Sequence, residues 1–204
     1  MYRKNYRCVV EGQQEQMYLN HLAKLVTDFP KTVVTFNISE GNAYDLTKSY
    51  IEYDSACLFD YDFNKTEFED NLMICDRLYH QNKPGKRKAG KFVYHAYSNV
   101  CFDLWLLLHK KDFVRPVLKN DGYVDGVIKA YGLPKGSDIK NAKVIEIILK
   151  QISLEDVKAA IQRASAIKDA KDYRDAHHVN TAVYYDNPDL SIHEFVSNVL
   201  DDIK

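Results

Sequence analysis

The chain has 204 residues, 46% hydrophobic and 28% charged, with a formal net charge of −1. That length supports one sizeable core with room for a small accessory lobe, and the charge balance excludes a binder that holds nucleic acid by bulk positive charge. No apolar run approaches the ~20 residues of a membrane span, and the basic start at Met1–Asn5 leads into no signal-type apolar segment, so the expectation is a cytoplasmic protein with no membrane partner.

The first half alternates between two periodicities. Residues 5–10 are β-favouring and read as a strand ending at Glu11-Gly12. From Gln13 to Thr27, apolar residues recur at helical spacing, and Pro30 stops the helix. Thr32–Ile38 is a β-branched strand, and Gly41-Asn42 turns the chain into a short helix reaching Tyr50 or Ile51. A third strand, 55–59, runs into Asp60-Tyr61-Asp62. Thr66–Tyr79 reads as a helix, Lys91–Tyr97 as a strand, and Cys101–Lys111 as a very apolar helix. Strands separated by helices pair in parallel through crossovers.

Beyond residue 112 the texture becomes helical, with segments near 123–131, 139–150, 153–171 and 191–203. Ser153, with Glu155 and Asp156 after it, has the form of a helix start. The expected organisation is an α/β core over 1–112, carrying a mainly parallel sheet flanked by helices, with a helical extension over 113–204 packed on it. Four cysteines (Cys8, Cys57, Cys75 and Cys101) lack CxxC spacing and read as buried thiols. His177-His178 has no second pair at metal-ligand spacing and reads as a surface turn.

Chemistry concentrates at strand ends, where parallel sheets build their sites. Asp60 and Asp62 are two residues apart after a buried strand. Like charges that close repel and raise each other's pKa unless a cation sits between them, and hard divalent cations take one or two carboxylates. The pair reads as a Mg²⁺ or Mn²⁺ site, with a turn leaving the strand, helped by Asn64, as the plainer alternative. Glu11 sits at an equivalent strand end, as base, acid or ligand, and Glu15 lies one helical turn on. In the apolar segment Ser98–His109, Ser98 or Asn99 is placed to cap the helix, and Asp103 is a carboxylate in a helix that should be buried. His109 fits a structural role. Lys83–Lys91 is a basic loop, and Lys86, Arg87, Lys88 and the separate Lys135 are candidate phosphate contacts.

These segments resemble a known family. A strand ending in Glu-Gly, followed by one ending in Asp-x-Asp, is similar to the Toprim domain. The closer likeness is to the RloB-like family, with its EGxxTE, FDxD and SNPCFELWLLLHF patterns. Here they read Glu11-Gly12-Gln13-Gln14-Glu15, Phe59-Asp60-Tyr61-Asp62 and Ser98–His109, and Asn187-Pro188 with Ile192, Phe195 and Val196 resembles the closing segment. The chain departs at Gln14 for threonine, Val100 for proline and Asp103 for glutamate.

The resemblance implies a Toprim-like fold with a helical C-terminal extension and a role in bacterial defence against phage, often by abortive infection. It also implies metal-dependent nuclease chemistry on RNA or DNA. Asp60 and Asp62 would hold Mg²⁺ or Mn²⁺, Glu11 would act on a proton or share the ion, and Asp103 would complete the catalytic set. Asn99 would position substrate or water, with Glu15, Asn64, Ser98 and His109 as supporting groups. The alternative is a Toprim-like interaction subunit of a defence complex with a weak or inactive site. A nucleotide-binding or phosphatase-like domain finds no GxGxxG or Walker A support.

Overall fold

Strand-forming and helix-forming segments alternate along the chain, and in the computed structural model they become a single layered α/β unit. The structure describes residues 2–27, 32–82 and 91–203; the helix stop at Pro30 and the basic stretch Lys86, Arg87 and Lys88 lie outside them. The elements are β1 (Tyr2–Val10), α1 (Gln13–Thr27), β2 (Thr32–Glu40), α2 (Ala43–Thr47), β3 (Asp54–Asp60), α3 (Lys65–Asn82), β4 (Val93–Asn99) and α4 (Asp103–Leu108). After a 3₁₀ turn at Asn120–Tyr123 come α5 (Val124–Ala130), α6 (Ala142–Leu149), α7 (Leu154–Asp169), β5 (His177–Val179), β6 (Ala182–Tyr184), β7 (Asp189–Leu190) and α8 (Ile192–Asp201).

The main sheet has the order β2-β1-β3-β4-β7. The first four strands are parallel, as helical crossovers require, while β7 pairs antiparallel with β4. Side chains alternate across the sheet, so each face has its own core. Cys8, Val10, Ala56, Leu58 and Ala96 face α1 and α4–α8, and that core runs from Tyr6 to Ile203. Val9, Cys57, Phe59, Val93 and Tyr97 face α2, α3 and the β5–β6 hairpin. All four cysteines are buried and free.

Three sequence expectations need correction. The apolar helix is shorter than 101–111, because regular helix begins only at Asp103. Neither Ser98 nor Asn99 caps it: both belong to β4, and the Asn99 amide instead donates to the Tyr185 carbonyl at 2.9 Å. His177-His178 is not a turn but most of β5, paired with β6. Strands of two or three residues carry too few alternations to be read from sequence, which explains why β5, β6 and β7 were not expected.

The antiparallel edge strand is fastened by a buried charge. Asp189 has no exposed surface, accepts from the Tyr97 hydroxyl at 2.6 Å and the Tyr185 amide at 2.8 Å, and pairs with Lys168 at 3.3 Å. Ser191, between β7 and α8, accepts from the Tyr97 amide at 3.1 Å. Residues beyond 112 thus extend the sheet itself as well as covering it.

Candidate active site

The register that aligns the strands also aligns their ends. Val10 stands opposite Leu58, and Asp60 opposite Ser98, so the residues after β1 and at the end of β3 meet at one edge. Glu11 Oε2 accepts from the Asp60 amide at 3.0 Å, which ties the first acid to the second. Asp60 Oδ2 in turn accepts from the Phe102 amide at 3.1 Å. Phe102 is the N-cap residue of α4 and has no side-chain cap of its own; a carboxylate from β3 takes that role.

The chain leaves β3 through a tight turn. The amides of Tyr61 and Asp62 both donate to the Val100 carbonyl at 3.0 Å, and Asp62 and Phe63 have φ of 42° and 54°. The strand therefore does not continue to Asp62, whose side chain is placed by the turn; the turn alternative describes the backbone. Asn64 is spent on α3, where its amide donates to Glu67 at 2.8 Å. It does not line the acidic cleft.

That cleft, of about 270 Å³, is lined by Glu11, Gly12, Gln13, Gln14, Glu15, Asp60, Asp62, Cys101, Asp103 and Lys140. A larger hollow of about 510 Å³ lies between Asp112–Val114 and α7, but its one carboxylate, Asp112, is already paired with Arg163 at 2.9 Å. Donor chemistry, rather than volume, identifies the acidic cleft as the candidate. Gly12 keeps room inside it: a Cβ there would stand 3.3 Å from Glu15 Oε2.

Five carboxylates meet one cation, and every acid responds. Burial pushes Glu11 up to about 7, reinforced by Glu15, Asp62 and Glu67 against the opposing Asp60 amide. Burial also raises Asp60, with Glu15, Glu11 and Asp62 adding to it. Glu15 rises through burial and the nearby Asp103, and Asp62, the exposed member, through its partial burial and Glu67. Asp103 is 1% exposed and is raised mainly by burial. Neither of its oxygens has a partner in hydrogen-bond geometry, although Lys140, and after it Gln14 and Cys101, work against that rise. Partial burial would lower Lys140, but Asp103, Cys101, Asp62 and Asp60 outweigh it and raise the ammonium.

The donor set suits a hard divalent cation: all oxygen, mostly desolvated, with an orphaned buried carboxylate that needs a counter-charge. Among the described residues no three His, Cys, Asp or Glu groups are placed to hold an ion directly. At most one or two of these carboxylates could therefore hold an ion directly, the number Mg²⁺ takes while keeping several waters.

The other sequence candidates are placed as follows. Ser98 is buried, and its carbonyl accepts from the Tyr61 amide at 3.1 Å; its part is to hold the turn through backbone. Asn99 faces Tyr185 rather than the cleft. His109 is buried, bonded to the Trp105 carbonyl at 2.8 Å and beside the Tyr18 hydroxyl at 3.3 Å. Burial lowers it to about 4, so it is a neutral core histidine. Lys135 is exposed on the α5–α6 loop and does not line the cleft. Lys140, at the far end of the same loop, does, and sequence reasoning missed it: an isolated loop lysine carries no periodic or motif signal. A clue lay in Gln14, whose amide donates to the Ile139 carbonyl at 3.3 Å and so fastens that loop beside Glu15.

Among known proteins, the family model described as RloB-like protein matches residues 6–199. No curated protein and no solved structure matches the chain. The match spans the Glu11 strand, the Asp60-Tyr61-Asp62 turn, the Ser98–His109 segment and the closing helix alike, and the chain belongs to the RloB-like family.

Proposed function

We propose that this protein is a divalent-metal-dependent nuclease, a phosphodiesterase acting on RNA or DNA in bacterial defence against phage. The observation that carries the reading is the meeting of Glu11, Glu15, Asp60, Asp62 and Asp103 with Lys140 in one cleft at the carboxyl edge of a parallel sheet. Separate elements bring these groups together at a cost in desolvation and repulsion that the hydrogen bonds to the Asp60 and Phe102 amides offset only in part.

Asp60 and Asp62 are assigned to hold Mg²⁺ or Mn²⁺, with Glu11 as a shared ligand or proton carrier and Asp103 and Glu15 acting across the ion's water shell. When bound, the ion supplies positive charge against the phosphate oxygens and acidifies a water. The protein supplies the rest. Glu11, with a carboxyl near 7 in the free protein, is suited to carry a proton at the oxygen that does not accept from the Asp60 amide. Lys140 presents the cleft's positive charge to a substrate phosphate. The helices around Asp103 keep bulk water from one wall. The net charge of −1 favours a structured or partner-delivered nucleic acid over long bare duplex.

A second reading, a Toprim-like interaction subunit of a defence complex, is favoured by the lack, among the described residues, of three side chains placed to hold an ion. A labelled panel of tRNA, single-stranded RNA, and single- and double-stranded DNA, incubated with Mg²⁺, Mn²⁺ or chelator, separates the two. Metal-dependent cutting that is lost in Asp60→Asn/Asp62→Asn supports the nuclease. Absence of both cutting and metal-induced thermal stabilisation supports the subunit.

A further inference from the structure

The turn that places Asp62 carries a residue that neither folding nor metal binding explains. Asn64 donates its amide to the Tyr61 carbonyl at 2.7 Å, closing a four-residue turn whose two central residues both have positive φ. That is the type I′ pattern, in which the second central position normally holds glycine. Here it holds Phe63, at φ 54° and 46% exposed. A bulky side chain in the left-handed region is costly, and a ring left nearly half exposed offsets that cost only in part by burial.

The ring is nevertheless well supported. Tyr61 meets it edge-on at 6.0 Å and 71°, and Tyr61 rests on the buried Phe68 at 5.2 Å and 79°. The backbone beneath is fixed by the two amide bonds to the Val100 carbonyl. A half-exposed aromatic ring thus directly follows Asp62, which itself lines the carboxylate cleft.

We propose that Phe63 is the stacking platform for an unpaired base of the substrate, so that the cleft acts on single-stranded or looped-out nucleotides rather than on continuous duplex. This rests on the nuclease reading above. A base next to the scissile phosphate would lie on the ring while the phosphate faces the carboxylates and Lys140. Base–aromatic stacking tolerates any sequence, since every base has a π-face, and stacking of this size means about 5- to 150-fold in affinity.

The test uses the full chain with Ca²⁺ in place of Mg²⁺ and short oligonucleotides carrying 2-aminopurine, whose fluorescence is quenched by stacking. The expected result is quenching on single-stranded RNA and DNA, and little on the same sequences in duplex. Phe63→Gly should abolish the quench and weaken binding about 5- to 150-fold while melting no lower than wild type, because glycine adopts the turn's backbone freely. Phe63→Trp should keep both quench and affinity. Single-strand binding and quenching unchanged in Phe63→Gly, or equal quenching in duplex, would overturn the platform and leave the nuclease reading standing. Failure of the wild type to bind any nucleic acid would overturn both.

Discussion

Replacing Glu11 by glutamine should stabilise the metal-free protein, and by an amount that depends on pH. An unfolded glutamate ionises near 4.5, whereas burial and the neighbouring acids hold folded Glu11 at about 7. Below pH 4.5 the group is protonated in both states and contributes no difference. As pH rises from 4.5 to about 7, the unfolded chain releases the proton while the folded protein keeps it, and stability falls by about 1.4 kcal/mol per pH unit. The loss is complete above the folded pKa, at a ceiling of about 3 kcal/mol. Glutamine has the shape of the protonated acid and can still accept from the Asp60 amide, yet cannot ionise. Thermal melts in chelator should therefore show Glu11→Gln and wild type nearly equal at pH 4, diverging to roughly 6–12 °C at pH 8 for a chain of this size. Saturating Mg²⁺ should narrow the gap by neutralising the wild-type carboxylates. A gap that is absent at pH 8, or equally large at pH 4, would show that the folded protein does not hold Glu11 protonated.

Asp103→Asn removes a buried acid without hydrogen-bonded oxygens and should raise the metal-free melting temperature while shrinking the Mg²⁺-induced rise, which melts with and without metal would show. Lys140→Met should tighten Mn²⁺ binding measured by calorimetry, because a competing positive charge is gone, yet slow cleavage at saturating metal; a parallel change in both would count against its assigned role. Asp189→Ala should cost about 3–5 kcal/mol by denaturant titration, since it takes the acceptor from the Tyr97 hydroxyl and the Tyr185 amide, removes the ion-pair partner of Lys168 and frees the edge strand. Leu106→Ala, at a position with no exposed surface, should cost about 2–5 kcal/mol with metal binding per folded molecule unchanged.

The architecture was legible wherever the periodicity ran long enough. The parallel core followed from strands of seven to nine residues alternating with helices, and the meeting of Glu11 and Asp60 followed from their places at strand ends, although Ser98 and Asn99, expected at the same edge for the same reason, do not line the cleft. Asp62 was legible as a neighbour of Asp60 at the cleft but not in its geometry, because nothing in Asp60-Tyr61-Asp62 announces that the backbone turns left-handed at Asp62 and Phe63. Asn99 and His109 sit in a distinctive motif, yet the fold engages them elsewhere, one with Tyr185 and the other in the core. Lys140 was invisible because its role arises only when a loop some 125 residues along the chain from Gln14 is bonded to α1.

The most direct measurement is a calorimetric titration of Mg²⁺ and Mn²⁺ into wild type and Asp60→Asn/Asp62→Asn, repeated in buffers of different ionisation enthalpy. Ions should bind the wild type with release of protons near pH 7, as carboxyls held protonated by burial and by one another give them up, and should bind the double variant far more weakly. Equal binding to both proteins, or none to the wild type, would contradict a metal centre at this cleft.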